Sequence, residues 1–126
     1  MNQLRITRGL RVLCGIGAIA VVGQLLFLAE PAFAQQLVEA TWDKGVHALV
    51  FGGLAFLVWV GAGGRWPLFV WMLILLVGAI DETRQLYTPG RTADFNDFLA
   101  DGFGAAAAMI MVQAIQPAPD TSKQGA

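Results

Sequence analysis

Asp81-Glu82-Thr83-Arg84-Gln85-Leu86-Tyr87-Thr88-Pro89-Gly90-Arg91-Thr92-Ala93-Asp94-Phe95-Asn96-Asp97-Phe98-Leu99-Ala100-Asp101-Gly102-Phe103-Gly104 decides how this chain folds. The stretch holds five of the nine acids and two of the eight basic residues, and it joins two apolar runs. Its charges therefore sit where hydrocarbon meets water. Charges at such a boundary cost free energy unless they pair, line a wet cavity or meet a ligand, which makes them the first place to look for function. Before the stretch, Leu68 to Ile80 is apolar but short for about 30 Å of hydrocarbon at 1.5 Å per residue, so the helix is expected to continue through Glu82 and Gln85 to Leu86. Tyr87-Thr88-Pro89-Gly90 is a turn, since proline presets one dihedral and glycine supplies a positive one. Phe98 to Ile115 is then a further apolar run, rich in small residues from Gly102 to Ala108, and Gly104 with Ala108 suits close helix approach in lipid.

The composition agrees with a membrane setting. The 126 residues are 56% hydrophobic and 13% charged, with a mean hydropathy of +0.61, where soluble domains carry about 25% charged residues. The net charge of −1 provides no basic field, which argues against nucleic acid as a partner. Cys14 is the single cysteine and lies in an apolar run; it has no mate for an internal disulfide, and its bland reading is a small buried apolar residue.

Two more runs precede the decisive stretch. Arg5, Arg8 and Arg11 lead into Val12 to Leu28, a basic flank that keeps the N-terminus in the cytoplasm. Ala32-Phe33-Ala34 before Gln35 fits a signal-peptide cleavage pattern, yet the run is also near spanning length, and we read it as a retained first helix. Glu30 to Lys44 reads as an external loop, with Thr41 or Asp43 able to cap the next helix. Val46 to Ala62 is apolar save for His47 and ends at Gly61-Ala62-Gly63-Gly64-Arg65, a tight cytoplasmic turn. Trp66 and Trp71 suit the interface belt, and Pro67 a first helical turn.

The expected fold is all-α, one membrane domain over 1–126 built as a four-helix transmembrane bundle, with helices at about 10–29, 45–62, 66–86 and 97–115 and a disordered tail at 117–126. Both termini are then cytoplasmic. Inner segments would hold Arg5, Arg8, Arg11, Arg65 and Lys123 against Asp120, and outer segments Lys44, Arg84 and Arg91 against eight acids, in line with the positive-inside rule.

This threading sends Asp43, Lys44, His47, Asp81, Glu82, Arg84, Gln85, Arg91, Asp94, Asp97 and Asp101 to one membrane face. Asp43 and His47 are four apart, Glu82 and Gln85 three apart, and Asp94, Asp97 and Asp101 follow three-then-four spacing, so each group shares a helix face. His47 titrates near neutrality and suits a general base, a proton relay or a ligand, with Asp43 fixing its tautomer; its bland role is a hydrogen bond between helices. Glu82 lies deep and is expected either to pair with Arg91 or to leave Arg91 for a phosphate or carboxylate. Arg84 is expected to be solvated. Asp94 and Asp97 suit a helix start, and Asp101 sits a turn deeper. No zinc spacing, nucleophile elbow or phosphate loop is present, and neither a metal nor another cofactor is expected.

Asp43-Lys44 with His47, the Phe51-Gly52-Gly53-Leu54 run, Glu82 with Gln85, Pro89-Gly90-Arg91, and Asp97 followed by Asp101 and Gly104 resemble, in that order, the VanZ-like family of small bacterial membrane proteins. The family usually has asparagine where this chain has Asp101. The resemblance implies a four-helix membrane protein of the cell envelope, the founding member being tied to resistance against the lipoglycopeptide teicoplanin. Three functions follow as expectations. One is a binding protein whose Lys44, His47, Glu82, Gln85, Arg91, Asp97 and Asp101 take a membrane lipid headgroup or a lipid-linked cell-wall precursor. Another is a membrane-interface hydrolase or transferase using His47 with Asp43 and Glu82, and the third is a purely structural lock.

Overall fold

The computed structural model describes residues 6–27, 40–87 and 93–116. They form four helices, α1 (Arg8–Phe27), α2 (Ala40–Gly61), α3 (Pro67–Leu86) and α4 (Phe95–Ile115), with no strand among the described residues. The all-α bundle expected from the four apolar runs is what the chain adopts. The segment around Ala34, the Thr88-Pro89-Gly90 turn, Arg91 and the tail 117–126 lie outside the described residues.

Each helix end has a local cause. Thr7 opens α1 by accepting the Leu10 amide on Oγ1 at 3.2 Å, satisfying one of the orphan donors of a helix start. The α2 helix closes where Gly64 N–H donates to Trp59 O and Gly63 N–H to Val60 O, both at 2.9 Å, the crossed pair of a Schellman ending. Gly63 has φ 82°, a conformation that favours glycine. Asp94 caps α4 by accepting the Asn96 amide at 2.9 Å.

The start of α2 corrects the sequence reading. Thr41 and Asp43 lie within the helix, which begins at Ala40, and not ahead of it as caps. Nothing from Ala40 to Lys44 is a glycine or proline, so no residue there stops the backbone ladder.

Consecutive helices run antiparallel, and the core lies between α2, α3 and α4: Phe51, Leu54, Ala55 and Trp59 meet Val70 and Ile74 on one side and Ala105, Met109 and Val112 on the other. The small residues bring α2 and α4 closest, since a Cβ added to Gly52 would lie 3.0 Å from Gly104 O. Across α3 and α4, Trp71 Nε1 donates to Gly102 O at 3.1 Å. Trp71→Phe removes this interhelical bond and part of the ring while the Gly102 carbonyl keeps its helical donor, so it should lower stability by about 1 kcal/mol in detergent unfolding; an unchanged midpoint would show that the bond carries no net weight.

The exterior is as apolar as the interior. Leu13, Ile19, Phe69, Leu76, Phe103 and Ile110 are all exposed, which in water would be an aggregation surface and in a bilayer is the lipid contact. Three helices are long and apolar enough to cross a membrane, namely α1, the Lys44–Gly61 part of α2, and α4. The α3 helix carries Asp81, Glu82 and Arg84 in its last turns. This is a membrane protein.

Candidate functional site

The C-terminal ends of α1 and α3 and the N-terminal ends of α2 and α4 meet at one end of the bundle, and the polar residues converge there. Lys44 on α2 reaches across to α4, with Nζ 3.2 Å from Asp94 Oδ2 and 3.1 Å from Asp97 Oδ1. Asp94 lies just outside the span and its carboxyl is held below the usual carboxylate range, first by the Asn96 backbone N–H and then by Lys44.

One turn deeper, His47 Nδ1 lies 2.8 Å from Asp101 Oδ1. With Asp101 ionised, its carboxylate only accepts and the imidazole donates in that bond. His47 Nε2 lies 3.9 Å from Asp97 Oδ2, and the ring stacks on Phe51, with planes 7° apart. The carboxylate shown beside His47 is therefore Asp101, from another helix. Asp43 falls in the first turns of α2 and its side chain lies outside the described set.

Asp101 is fully buried, at 0% exposure. Its Oδ2 has no hydrogen-bond partner among the described residues and faces Gly78, where an added Cβ would lie 3.2 Å from that oxygen. Gly78 is thus a site residue that motif reasoning missed. A glycine inside Leu75-Leu76-Val77-Gly78-Ala79-Ile80 was the available signal, because a lone glycine in a helix interior commonly marks close packing.

Asp81 and Gln85 are both buried, and Gln85 Nε2 donates to Asp81 Oδ2 at 3.3 Å. The expectation that Arg84 is solvated is overturned: Nη1 donates to Leu25 O at the end of α1 and lies 3.6 Å from Asp81 Oδ1. The cause is geometric, since the last carbonyls of a helix have no intrahelical donor and α3 ends beside them.

Glu82 occupies a different environment from the rest. Its Oε2 accepts the Asp94 amide at 3.1 Å, while Oε1 is buried without a hydrogen-bond partner among the described residues. The side chain lines a groove of about 340 Å³ between α3 and the start of α4, walled otherwise by Ala79, Thr83, Leu86, Ala93, Phe95 and Phe98. His47 is not part of that wall. A carboxylate at the head of an apolar cleft can receive a donor group whose attached hydrocarbon lies along the aromatic rings. Arg91, the other half of the expected Glu82 pair, lies outside the described residues. Among the described residues no group of three histidine, cysteine or acidic side chains is arranged to hold a metal ion.

A family model described as VanZ/LLP1 covers residues 11–116. No curated protein and no solved structure matches the chain.

Proposed function

The chain belongs to the VanZ/LLP1 family, and from that premise we propose that it is a multi-pass protein of the bacterial cytoplasmic (inner) membrane, with both termini cytoplasmic, that binds a lipid headgroup or lipid-linked cell-wall precursor at its outer polar cluster. The observation that carries this reading is Glu82 at the head of an apolar groove, with one carboxylate oxygen buried and lacking a partner among the described residues. Leaving such an oxygen unsatisfied costs about 1–3 kcal/mol or more. That oxygen is closed off in this conformation, so a headgroup amine or hydroxyl removes the cost once the wall of the groove parts, and Leu86, Phe95 and Phe98 accept the adjoining chain.

Arg91 is the residue proposed to take the phosphate of such a headgroup. Lys44, held between Asp94 and Asp97, gathers these two acids beside the site. His47, Gln85, Asp97 and Asp101 fix the helix ends that shape the mouth of the groove. A contribution to glycopeptide resistance would follow from holding a precursor that such antibiotics reach.

The test is native mass spectrometry of the full chain with phosphatidylethanolamine, which carries an ammonium donor, and phosphatidylcholine, which carries none. Glu82→Leu should weaken phosphatidylethanolamine binding about tenfold, as expected for losing one charge-assisted hydrogen bond. Filling the cleft by Ala79→Phe should weaken both lipids. Equal binding of both lipids to the wild type and to Glu82→Leu would remove the basis for the proposal. The oriented imidazole, His47 on Asp101 at 2.8 Å, favours one second reading, a membrane-interface hydrolase or transferase in which His47 acts with Asp43 and Glu82. That reading requires turnover of a lipid substrate that His47→Gln abolishes while binding survives.

A further inference from the structure

The opposite end of the bundle carries a site of another kind. Arg8 opens α1 and Arg11 follows, with no acid in the first turn. A helix start already carries partial positive charge, so two guanidinium groups there reinforce the field instead of offsetting it.

Among the described residues, only one of the two is relieved by its surroundings. Arg11 Nε donates to Gly61 O at the end of α2 at 3.4 Å, and its guanidinium lies on the following turn, where a Cβ at Gly63 would come within 3.2 Å of Cζ. Arg8 is exposed and has no hydrogen bond or ion pair among the described residues. Arg65, over the Trp66 ring at 5.7 Å, adds a third cation at this end. Residues 6–12, 60–68 and 113–116 contain no acid. Arg8 and Arg11 share the wall of a groove of about 410 Å³ with Ile6, Val12 and Gly61.

We infer that this groove binds the phosphate of an anionic membrane phospholipid. Arg8 and the outer nitrogens of Arg11 meet the phosphodiester, to which planar guanidinium donors are matched. Ile6 and Val12 take the glycerol and first methylenes, a use of the aliphatic wall that a water-borne phosphate does not make. The site is separate from the cluster at the other end of the bundle, since the 20 residues of α1 span about 30 Å at 1.5 Å per residue. It stands independently of the headgroup reading above.

The experiment compares retention of phosphatidylglycerol over phosphatidylcholine on the purified full chain by native mass spectrometry, with inorganic phosphate as competitor. Wild type should prefer phosphatidylglycerol, and Arg8→Gln should cut the preference roughly fivefold, the scale of one basic residue at an anionic surface. Arg8→Gln breaks no side-chain hydrogen bond or ion pair among the described residues; Arg8→Gln with Arg11→Gln should remove the preference. Arg65→Gln, outside the groove, should leave it unchanged. The inference fails if wild type shows no preference, or if Arg65→Gln lowers it as much as Arg8→Gln, which would mean a diffuse surface potential. It fails equally if inorganic phosphate displaces the lipid, which would point to a soluble phosphate ligand.

Discussion

Gly104→Ala should unfold or splay the bundle, at a cost of about 3 kcal/mol, the upper range for forcing extra volume into a packed interior. A Cβ at position 104 would lie 2.6 Å from Ala48 Cα and 2.7 Å from Ala48 C. Those are backbone atoms, so no side chain can rotate away, and α2 and α4 have to move apart. The movement would open the contacts of Phe51 and Leu54 with Ala105 and Met109 in the core, and it would draw Lys44 from Asp94 and Asp97, because the same two helices carry both arrangements. The control is Gly53→Ala on α2, where an added Cβ meets nothing within 4 Å. There the helix preference for alanine, about 1 kcal/mol, should make the variant as stable as wild type or more so. Reversible unfolding in detergent micelles reads both. Comparable stability of the two variants would show that the close crossing does not hold the helices together.

The contrast between these glycines shows what could be read from the chain and what could not. Four apolar runs separated by Gly61-Ala62-Gly63-Gly64 and Tyr87-Thr88-Pro89-Gly90 are local signals, and they suffice for four helices because hydropathy and turn chemistry act over a few residues. Spacing with Ala108 marks Gly104 for close helix approach, but that it meets the Ala48 backbone while Gly53 meets nothing depends on the crossing of α2 with α4. Arg84 is the same case: its partner is the Leu25 carbonyl 59 positions earlier, a backbone group that no side-chain pattern reveals. Convergence of Lys44, His47, Asp97 and Asp101 on one end could be inferred from alternating direction of travel, yet the choice of Asp101 as the acid on His47 depends on helix rotation. Rotation is set by packing residues such as Gly78, and those carry no chemistry that a motif search weighs. Glu82 stood out as a deep carboxylate. That it heads a groove depends on Phe95 and Phe98, which in sequence are two more apolar residues.

Truncating His47 gives the second large effect. His47→Ala should destabilise the protein by about 3 kcal/mol, the low end for removing one partner of a buried ionic pair, because it leaves Asp101 at 0% exposure with neither oxygen partnered among the described residues. Two magnitudes compete here. A hydrogen bond between neutral groups on membrane helices averages about 0.6 kcal/mol, whereas a buried pair with charge in it is worth several times more. We expect the second to win, since Asp101 is fully buried and its Oδ2 already lacks a partner among the described residues. Asp101→Asn keeps an acceptor for His47 and removes the negative charge, so it should cost about 1 kcal/mol and retain the fold. Replacing both residues together, His47→Leu with Asp101→Leu, removes the polar groups and should recover most of the loss. The double-mutant cycle should therefore give a coupling of about 2 kcal/mol, measured by unfolding in detergent. A coupling near the average for neutral bonds would make the pair ordinary helix packing, and the case for an imidazole held ready for chemistry would go with it.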